Sequence, residues 1–321
     1  METAAHSAAV YTVGLSKQFA GLTAVKSLDL RIGRGTMCAL VGPDGAGKTT
    51  TIRMLCGILA PTEGRVEVLG LDVQRNRREL KYRIGYLSQG FSLYEDLSID
   101  ENIEFFAEIH QVRDFRARRN ELLEFTRLTP FRSRLAGRLS GGMKKKLALA
   151  CTLVHKPEII FLDEPTTGVD PVSRRDFWLI LSQVLKDGVS IVVSTPYLDE
   201  AERCTQVALL SAGKLLAADS PANMHAKMPG HIVEFTVSDV RAAHAALPHE
   251  AVDWCQEVQT FGDRFDVRCE NTETCTQKVS SRVLQAGVEV LDAREVSPSI
   301  ENVFISILHR EGASDEKPKS N

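Results

Sequence analysis

The run GPDGAGKT, Gly42 to Thr49, matches the pattern G-x-x-x-x-G-K-[ST], follows a buried-strand pattern and opens a helical one. That context is the one a phosphate-binding loop requires. Glycines let backbone N–H groups close round a polyphosphate, and the helix beginning at Lys48 turns its positive dipole end to the same anion. Gly42, Pro43, Asp44, Gly45, Ala46 and Gly47 supply the loop, and Lys48, Thr49 and Thr50 the first turn of the helix. Lys48 is placed to pair with the β and γ phosphates. Thr49 offers a hydroxyl to Mg²⁺, a hard cation that keeps several waters and takes its other ligands from phosphate oxygens and one or two acidic or polar groups.

A carboxylate is therefore needed nearby, and the run IIFLDEP provides Asp163 with Glu164 beside it. The apolar residues ahead of them put both acids at the exposed end of a buried parallel strand. Asp163 is assigned to Mg²⁺. Glu164 is assigned to the attacking water, which it would orient and relieve of a proton as general base.

The elements that must deliver these residues are visible in the patterning. Met37 to Val41, Ile159 to Leu162 and Ser190 to Ser194 are short continuous apolar runs bounded by Gly, Pro or Asp, as expected of strands buried on both faces of a parallel sheet. Tyr11 to Val13, Ser27 to Ile32 and Arg65 to Leu69 instead alternate apolar with polar, which predicts an antiparallel layer with one wet face. From Ser98 the run SIDENIEFFAEIH opens with a capping box, Ser98 with Glu101, and a second helical stretch follows from Phe115 to Arg127. A helical insertion therefore interrupts the α/β domain.

At about 150 residues per domain, 321 residues imply roughly two domains. The composition, 43% hydrophobic and 25% charged, is that of a globular chain and excludes a disordered, collagen-like or disulfide-scaffold protein. A formal net charge of −3 provides no overall positive field for a nucleic-acid backbone or an anionic membrane. No uncharged apolar run approaches the ~18 residues of a spanning helix, and the start METAAHSAAV lacks the basic and apolar regions of a signal peptide. The expectation is a cytoplasmic chain that meets a membrane only through a partner. The seven cysteines show no C-x-x-C pair or metal-ligand spacing and read as reduced packing residues. Near Ser220 to Gly230 the connection SPANMHAKMPG marks a boundary, and the order beyond it, βαββαβ and a last helix, is compatible with a ferredoxin-like domain.

The motif LSGGM, Leu139 to Met143, then carries a resemblance. With the two acid and glycine motifs above, the chain resembles the nucleotide-binding subunits of ATP-binding cassette (ABC) transporters, whose signature it matches with Met in place of the usual Gln. It is most similar to the multidrug, daunorubicin-resistance-like ATPases of ABC-2 exporters, over about Tyr11 to Ala226. The resemblance implies a P-loop NTPase cassette of the α/β class, with parallel core sheet, antiparallel β layer and helical insertion, and a small C-terminal α+β domain. Residues 1–226 would be the cassette (helical subdomain about 93–150), 227–310 the C-terminal domain and 311–321 a disordered tail. It also implies ATP with Mg²⁺, Phe19 stacked on adenine, Gln89 as a Q-loop residue sensing Mg²⁺ and the membrane partner, and Asp170 in the D-loop GVDP. Ser140, Gly141 and Gly142 would close in trans over ATP bound to the other cassette of a head-to-tail dimer.

Implied partners are a separate ABC-2-type membrane permease and a second cassette, with no nucleic acid, so the chain would sit peripherally on the inner face of the cell membrane. The permease contact is expected around Gln89 to Leu97, where Phe91, Leu93 and Tyr94 either receive a membrane helix or pack the helical subdomain. One position departs from the family. After VSIVVS the family places a histidine that contacts the γ-phosphate, whereas this chain reads STPYLDEAE with Pro196, which has neither a side-chain donor nor an N–H. Loss of one positioned acid or base group costs about 10² to 10⁴ in rate. Two readings follow: a hydrolysing motor, or a nucleotide-gated regulatory cassette that pairs with an active one; a heterodimer would keep one intact site, whereas a homodimer would lack the histidine in both and turn over slowly. The first half of fused two-cassette exporter ATPases resembles this chain in that departure. An ABC protein acting on DNA or ribosomes would need a coiled-coil insert, a second cassette or a basic face, and the sequence has one P-loop and a net negative charge.

Overall fold

Alternation near the N-terminus becomes an antiparallel layer of β1 (Ala8–Phe19), β2 (Leu22–Gly33), β4 (Glu63–Val68) and β5 (Leu71–Asp72), ordered β2-β1-β4-β5. The continuous apolar runs become β3 (Met37–Val41), β7 (Ile159–Asp163) and β8 (Ser190–Thr195), every residue of which is buried. With β6 (Ile84–Leu87), β9 (Gln206–Ser211) and β10 (Lys214–Asp219) they form a six-stranded sheet ordered β10-β9-β3-β8-β7-β6, parallel except for β10. The computed structural model describes residues 8–90, 93–248 and 251–315. One apolar cluster joins Leu15, Val25 and Leu28 of the antiparallel layer to Leu40, Phe161 and Val192 of the parallel sheet, so the wet-faced layer lays its dry face on the core. Parallel strands all point the same way, which brings Gly42, Gln89, Asp163, Glu164 and Pro196 to one edge, just past the carboxyl ends of β3, β6, β7 and β8.

Helices α1 (Lys48–Leu55) and α2 (Arg77–Arg83) precede the helical insertion of α3 (Ile99–Ile109), α4 (Phe115–Phe125) and α5 (Gly141–Leu153). The capping box at the start of α3 is formed: the Glu101 N–H donates to Ser98 Oγ at 3.2 Å and the Ser98 N–H to Glu101 Oε2 at 2.7 Å. At its other end His110 stacks on His155, which follows α5, with ring centroids 3.9 Å apart and planes 5° from parallel. His155 Nε2 donates to the Ile84 carbonyl at 2.9 Å.

Burial, then the neighbouring His155 and Lys81, pushes the His110 imidazole down to about 4. In the unfolded chain a histidine takes its proton below about 6.5, whereas folded His110 refuses it until about pH 4. Its contribution to stability is therefore complete above pH 6.5 and is lost as pH falls towards 4. We expect His110→Phe, which keeps a ring for stacking, to narrow the drop in melting temperature between pH 7.5 and pH 5.0. An equal drop in both proteins would show that His110 is not the group that resists protonation.

The first compact unit ends at Ser220 and the second begins at Pro221, rather than after Ala226 as the sequence leads one to expect. The reason is α8 (Pro221–Ala226), which follows α6 (Pro171–Lys186) and α7 (Leu198–Ala201) in the chain, packs with the last helix and buries Met224. The second unit runs β11 (His231–Val237), α9 (Val240–Ala246), β12 (Glu257–Phe261), β13 (Arg264–Cys269), α10 (Thr272–Gln285), β14 (Val290–Val296) and α11 (Ile300–Asp315). Its sheet is antiparallel in the order β12-β13-β11-β14, the split βαβ arrangement of a ferredoxin-like domain. Phe235 and Phe265 stack at 5.2 Å in its core. Helix α11 packs on this unit itself: Asn302 is buried, and its amide donates to Asp266 at 2.7 Å and to Gln259 at 2.9 Å. This helix continues to Asp315, so the disorder expected from residue 311 does not begin there; residues 316–321 lie outside the described residues.

All seven cysteines are free thiols and six of them are buried, with burial pushing Cys38 up to about 12. Among the described residues no helix is long and apolar enough to cross a membrane.

Candidate nucleotide site

Between β3 and α1 the loop folds back on itself, held by Ala46 N–H donating to the Pro43 carbonyl at 3.1 Å. Two of its glycines are required by close approach. A Cβ on Gly42 would stand 2.1 Å from the Leu210 carbonyl oxygen, and one on Gly47, at φ +95°, would stand 2.5 Å from that of Ala24. Pro43, Asp44 and Gly45 are exposed, Ala46 is buried, and Thr49 and Thr50 are half-buried. The first amides of α1 have no acceptor within their own helix. Loop and helix thus present several N–H groups to one point.

Lys48 is buried at that point, where its ammonium donates to the Gly42 carbonyl at 2.8 Å and the Pro43 carbonyl at 3.1 Å. It also lies 3.7 Å from Glu164 Oε1, an ion pair largely out of solvent. Asp163 is wholly buried at the end of β7, and its Oδ1 accepts from Thr49 Oγ1 at 2.9 Å and from Ser194 Oγ at 2.7 Å. Its other oxygen, Oδ2, is buried and has no hydrogen-bond partner. A buried carboxylate oxygen left unpaired costs on the order of 1–3 kcal/mol or more. A cation is the natural remedy, and the set around it, one hydroxyl and one carboxylate among polar groups, is a hard-ion donor set.

Glu164 follows in the left-handed region at φ +48°, uncommon for a residue with a side chain. Its N–H is held by Ser194, whose hydroxyl lies at 3.0 Å, and its Oε2 accepts from Gln89 Nε2 at 3.0 Å and Thr167 Oγ1 at 3.3 Å. Lys48, Thr49, Gln89, Asp163 and Glu164 are thus brought into one cluster. Phe19 ends β1, pairs with Leu22 in the hairpin whose Ala24 abuts Gly47, and keeps 43% of its surface exposed under the Lys17 ammonium.

A second group lies along α5 and α6. Ser140 caps α5, its Oγ accepting from the Met143 N–H at 3.3 Å, and Gly141 begins the helix. Gly142 is pressed against α6, where a Cβ would meet the Ser173 hydroxyl oxygen at 2.4 Å. Asp170 caps α6 by accepting from the Ser173 N–H at 2.9 Å, a bond that holds its carboxyl below the usual carboxylate range. Pro196 is half-buried after β8, in a turn closed by the Tyr197 N–H donating to Thr195 Oγ1 at 3.0 Å. In the stretch expected to meet a permease, Tyr94 is half-exposed and its ring packs edge-on to Phe105 at 4.4 Å; Phe91 lies outside the described residues.

Three kinds of residue escape a reading of the sequence. Ser194 bridges the two acids, and only its place at the carboxyl end of a buried strand hints at this. The consecutive lysines of α5 fan out to three partners: Lys144 to Glu95 at 2.8 Å, Lys145 to the Gln89 carbonyl at 3.4 Å and Lys146 to Asp176 at 2.8 Å. Helical geometry turns each residue about 100° from the last, so a charge run becomes three separate ties. Thr166 and Glu200 form the third kind and are treated below.

A parallel sheet with a glycine-bent loop and paired acids at its carboxyl edge, a helical insertion and an antiparallel layer make this a P-loop cassette. Residues 25–167 match the model of a family described as ABC transporter, and the chain belongs to that family. It is 39% identical over 310 residues to a probable multidrug ABC transporter ATP-binding protein, YbhF, of Escherichia coli, covering 94% of this chain but 52% of that protein, so it spans about half the relative's length. It is 33% identical to the daunorubicin resistance ATP-binding protein DrrA3 of Streptomyces coeruleorubidus, over 93% of this chain and 95% of that one. Among solved structures, a dimeric post-hydrolysis state of the ATP-binding cassette MJ0796 bound to ADP and phosphate matches with a TM-score of 0.60 at 26% identity, over 66% of this chain and 98% of the other. The structure of cbiO1 from Clostridium perfringens, part of the ABC transporter complex cbiONQ, matches with a TM-score of 0.64 at 26% identity, over 69% of this chain and 92% of the other.

Proposed function

We propose that the chain is the ATP-binding and ATP-hydrolysing motor subunit of a membrane exporter. It works as a head-to-tail dimer of cassettes and moves a separate ABC-2-type permease between access states. The observation that carries the reading is the buried Asp163 with one unpaired oxygen, set between the Thr49 hydroxyl and a lysine–glutamate pair at the carboxyl edge of the sheet. The names of the relatives, multidrug and daunorubicin resistance, support export.

In this reading the loop amides of Gly42 to Gly47 and the first turn from Lys48 to Thr50 bind the polyphosphate. Phe19 offers its exposed ring to the adenine. Thr49, Asp163 and Gln89 are the groups that would hold Mg²⁺, which when bound neutralises charge on the β and γ phosphates. Glu164 accepts a proton from water, and its strained backbone fixes where its carboxylate points. Ser140, Gly141 and Gly142 serve the ATP of the partner cassette, and Asp170 lies along that same seam. The chain sits in the cytoplasm, peripheral to the membrane through the permease.

Pro196 supports a second reading, a cassette that binds ATP, gates an active partner and hydrolyses slowly. Steady-state Mg-ATP turnover of the chain, beside its Pro196→His variant and with Glu164→Gln as blank, separates the two. We expect turnover above the blank in the parent. Turnover equal to the blank in the parent and restored by the histidine would assign the chain to the regulatory reading instead.

A further inference from the structure

Glu200 is a carboxylate with 1% of its surface exposed, outside the cluster just described. Its Oε1 accepts from Thr166 Oγ1 at 2.8 Å and Trp178 Nε1 at 3.1 Å, and its Oε2 from Thr195 Oγ1 at 2.5 Å. The Arg174 guanidinium stands 3.9 Å from Oε1, and also lies over the Tyr197 ring at 5.2 Å and 3.7 Å from Asp199. Three hydrogen-bond donors and a guanidinium at ion-pair distance surround one buried carboxylate, and they come from three places: the turn after Glu164, helix α6 and the end of β8 before Pro196.

The turn after Glu164 is the one that needs holding. A non-glycine residue in the left-handed region costs about 1–2 kcal/mol and persists only where its surroundings over-determine it. Glu164 is such a residue, at φ +48°. Upstream, its N–H is fixed by Ser194. Downstream the turn closes through the Thr167 N–H to the Glu164 carbonyl at 3.4 Å and the Val169 N–H to that of Thr166 at 3.2 Å, long bonds that would not hold it unaided. The Thr166 hydroxyl on Glu200 is the anchor that remains, and the next residue, Thr167, donates to the Glu164 carboxylate itself.

We propose that Glu200 is a positioning residue for ATP hydrolysis: through Thr166 it locks the strained turn that aims the Glu164 carboxylate, and through Thr195 it locks the Pro196 turn to the same helix. This rests on the reading of Glu164 as general base. A displacement of about 1 Å in a catalytic group costs on the order of 10²-fold, so a positioning residue needs no contact with substrate to matter.

The test uses the full chain with Glu200→Gln and Thr166→Val, the second keeping the buried glutamate and nearly the side-chain volume in case the first fails to fold. Amide hydrogen exchange should quicken at least tenfold at Glu164, Thr167 and Val169 in both variants, with the Thr51 amide of α1 unchanged. Mg-ATP turnover should fall tenfold or more in kcat with KM within threefold. Mg-ATP affinity should be unaltered when either substitution is added to Glu164→Gln. Unchanged exchange at Glu164 to Val169 would overturn the proposal, as would faster exchange spread to Thr51 or lost Mg-ATP binding, which mark a general structural role. If Glu164→Gln alone turned over at the parent rate, the reading of Glu164 would fail instead.

Discussion

Glu164→Gln is expected to lower Mg-ATP turnover by about 10²- to 10⁴-fold while leaving Mg-ATP binding intact, the usual scale for removing one positioned proton acceptor. The amide keeps the shape of the side chain, and its oxygen still accepts from Gln89 and Thr167, so the turn and the Q-loop contact survive. What is lost is basicity and a negative charge 3.7 Å from the Lys48 ammonium. Removing that charge frees Lys48 from a competing partner and relieves repulsion against a bound polyphosphate, so affinity should hold or rise. Bound but unhydrolysed ATP should then keep two cassettes together. Size-exclusion chromatography with and without Mg-ATP reads this directly: a nucleotide-dependent dimer of the variant is the expected result. Hydrolysis at the parent rate, in a preparation where no other chain supplies turnover, would show that another group takes the proton.

The parts of the site that the sequence made legible are those in which one short segment carries both the chemistry and its context. Gly42 to Thr49 shows strand, loop and helix together, and IIFLDEP shows strand and acids together, so each could be placed without knowing its neighbours. What brings them together could not be read. Thr49 and Asp163 meet across 114 positions, and Ser194 meets Asp163 across 31, because β3, β7 and β8 are adjacent in the sheet, an order that a linear pattern does not carry. Backbone strain at Glu164 was likewise invisible, since nothing in its side chain marks a left-handed residue. Nothing in the run STPYLDEAE sets Glu200 apart from its neighbouring acids; only the convergence of Thr166, Thr195 and Trp178 distinguishes it. The division falls at the start of the Ser220 to Gly230 connection rather than after Ala226, and α11 runs past residue 311, for a simpler reason. Polar composition predicts exposure, and both α8 and α11 have one apolar or amide-bearing face that packs within the second unit.

Lys48→Ala should remove tight Mg-ATP binding, with a loss of at least 10-fold to 100-fold in affinity, since a hydrogen bond to a charged group contributes about 1.5–3 kcal/mol. Two effects add. The ammonium that would meet the phosphates is gone, and Glu164 is left as a buried carboxylate without its cation, a negative charge facing the incoming polyphosphate. The carbonyls of Gly42 and Pro43 also lose their common donor, so the loop loses a tie between its start and the first turn of α1. Pairing the substitution with Glu164→Gln separates these contributions. If repulsion by the stranded carboxylate matters, the double variant binds Mg-ATP more tightly than Lys48→Ala alone; if only the lost ammonium matters, the two bind equally weakly. Titration calorimetry with Mg-ATP at fixed ionic strength measures both. Parent-like affinity in Lys48→Ala would place the polyphosphate elsewhere and remove the basis for assigning the Gly42 to Thr49 loop as its cradle.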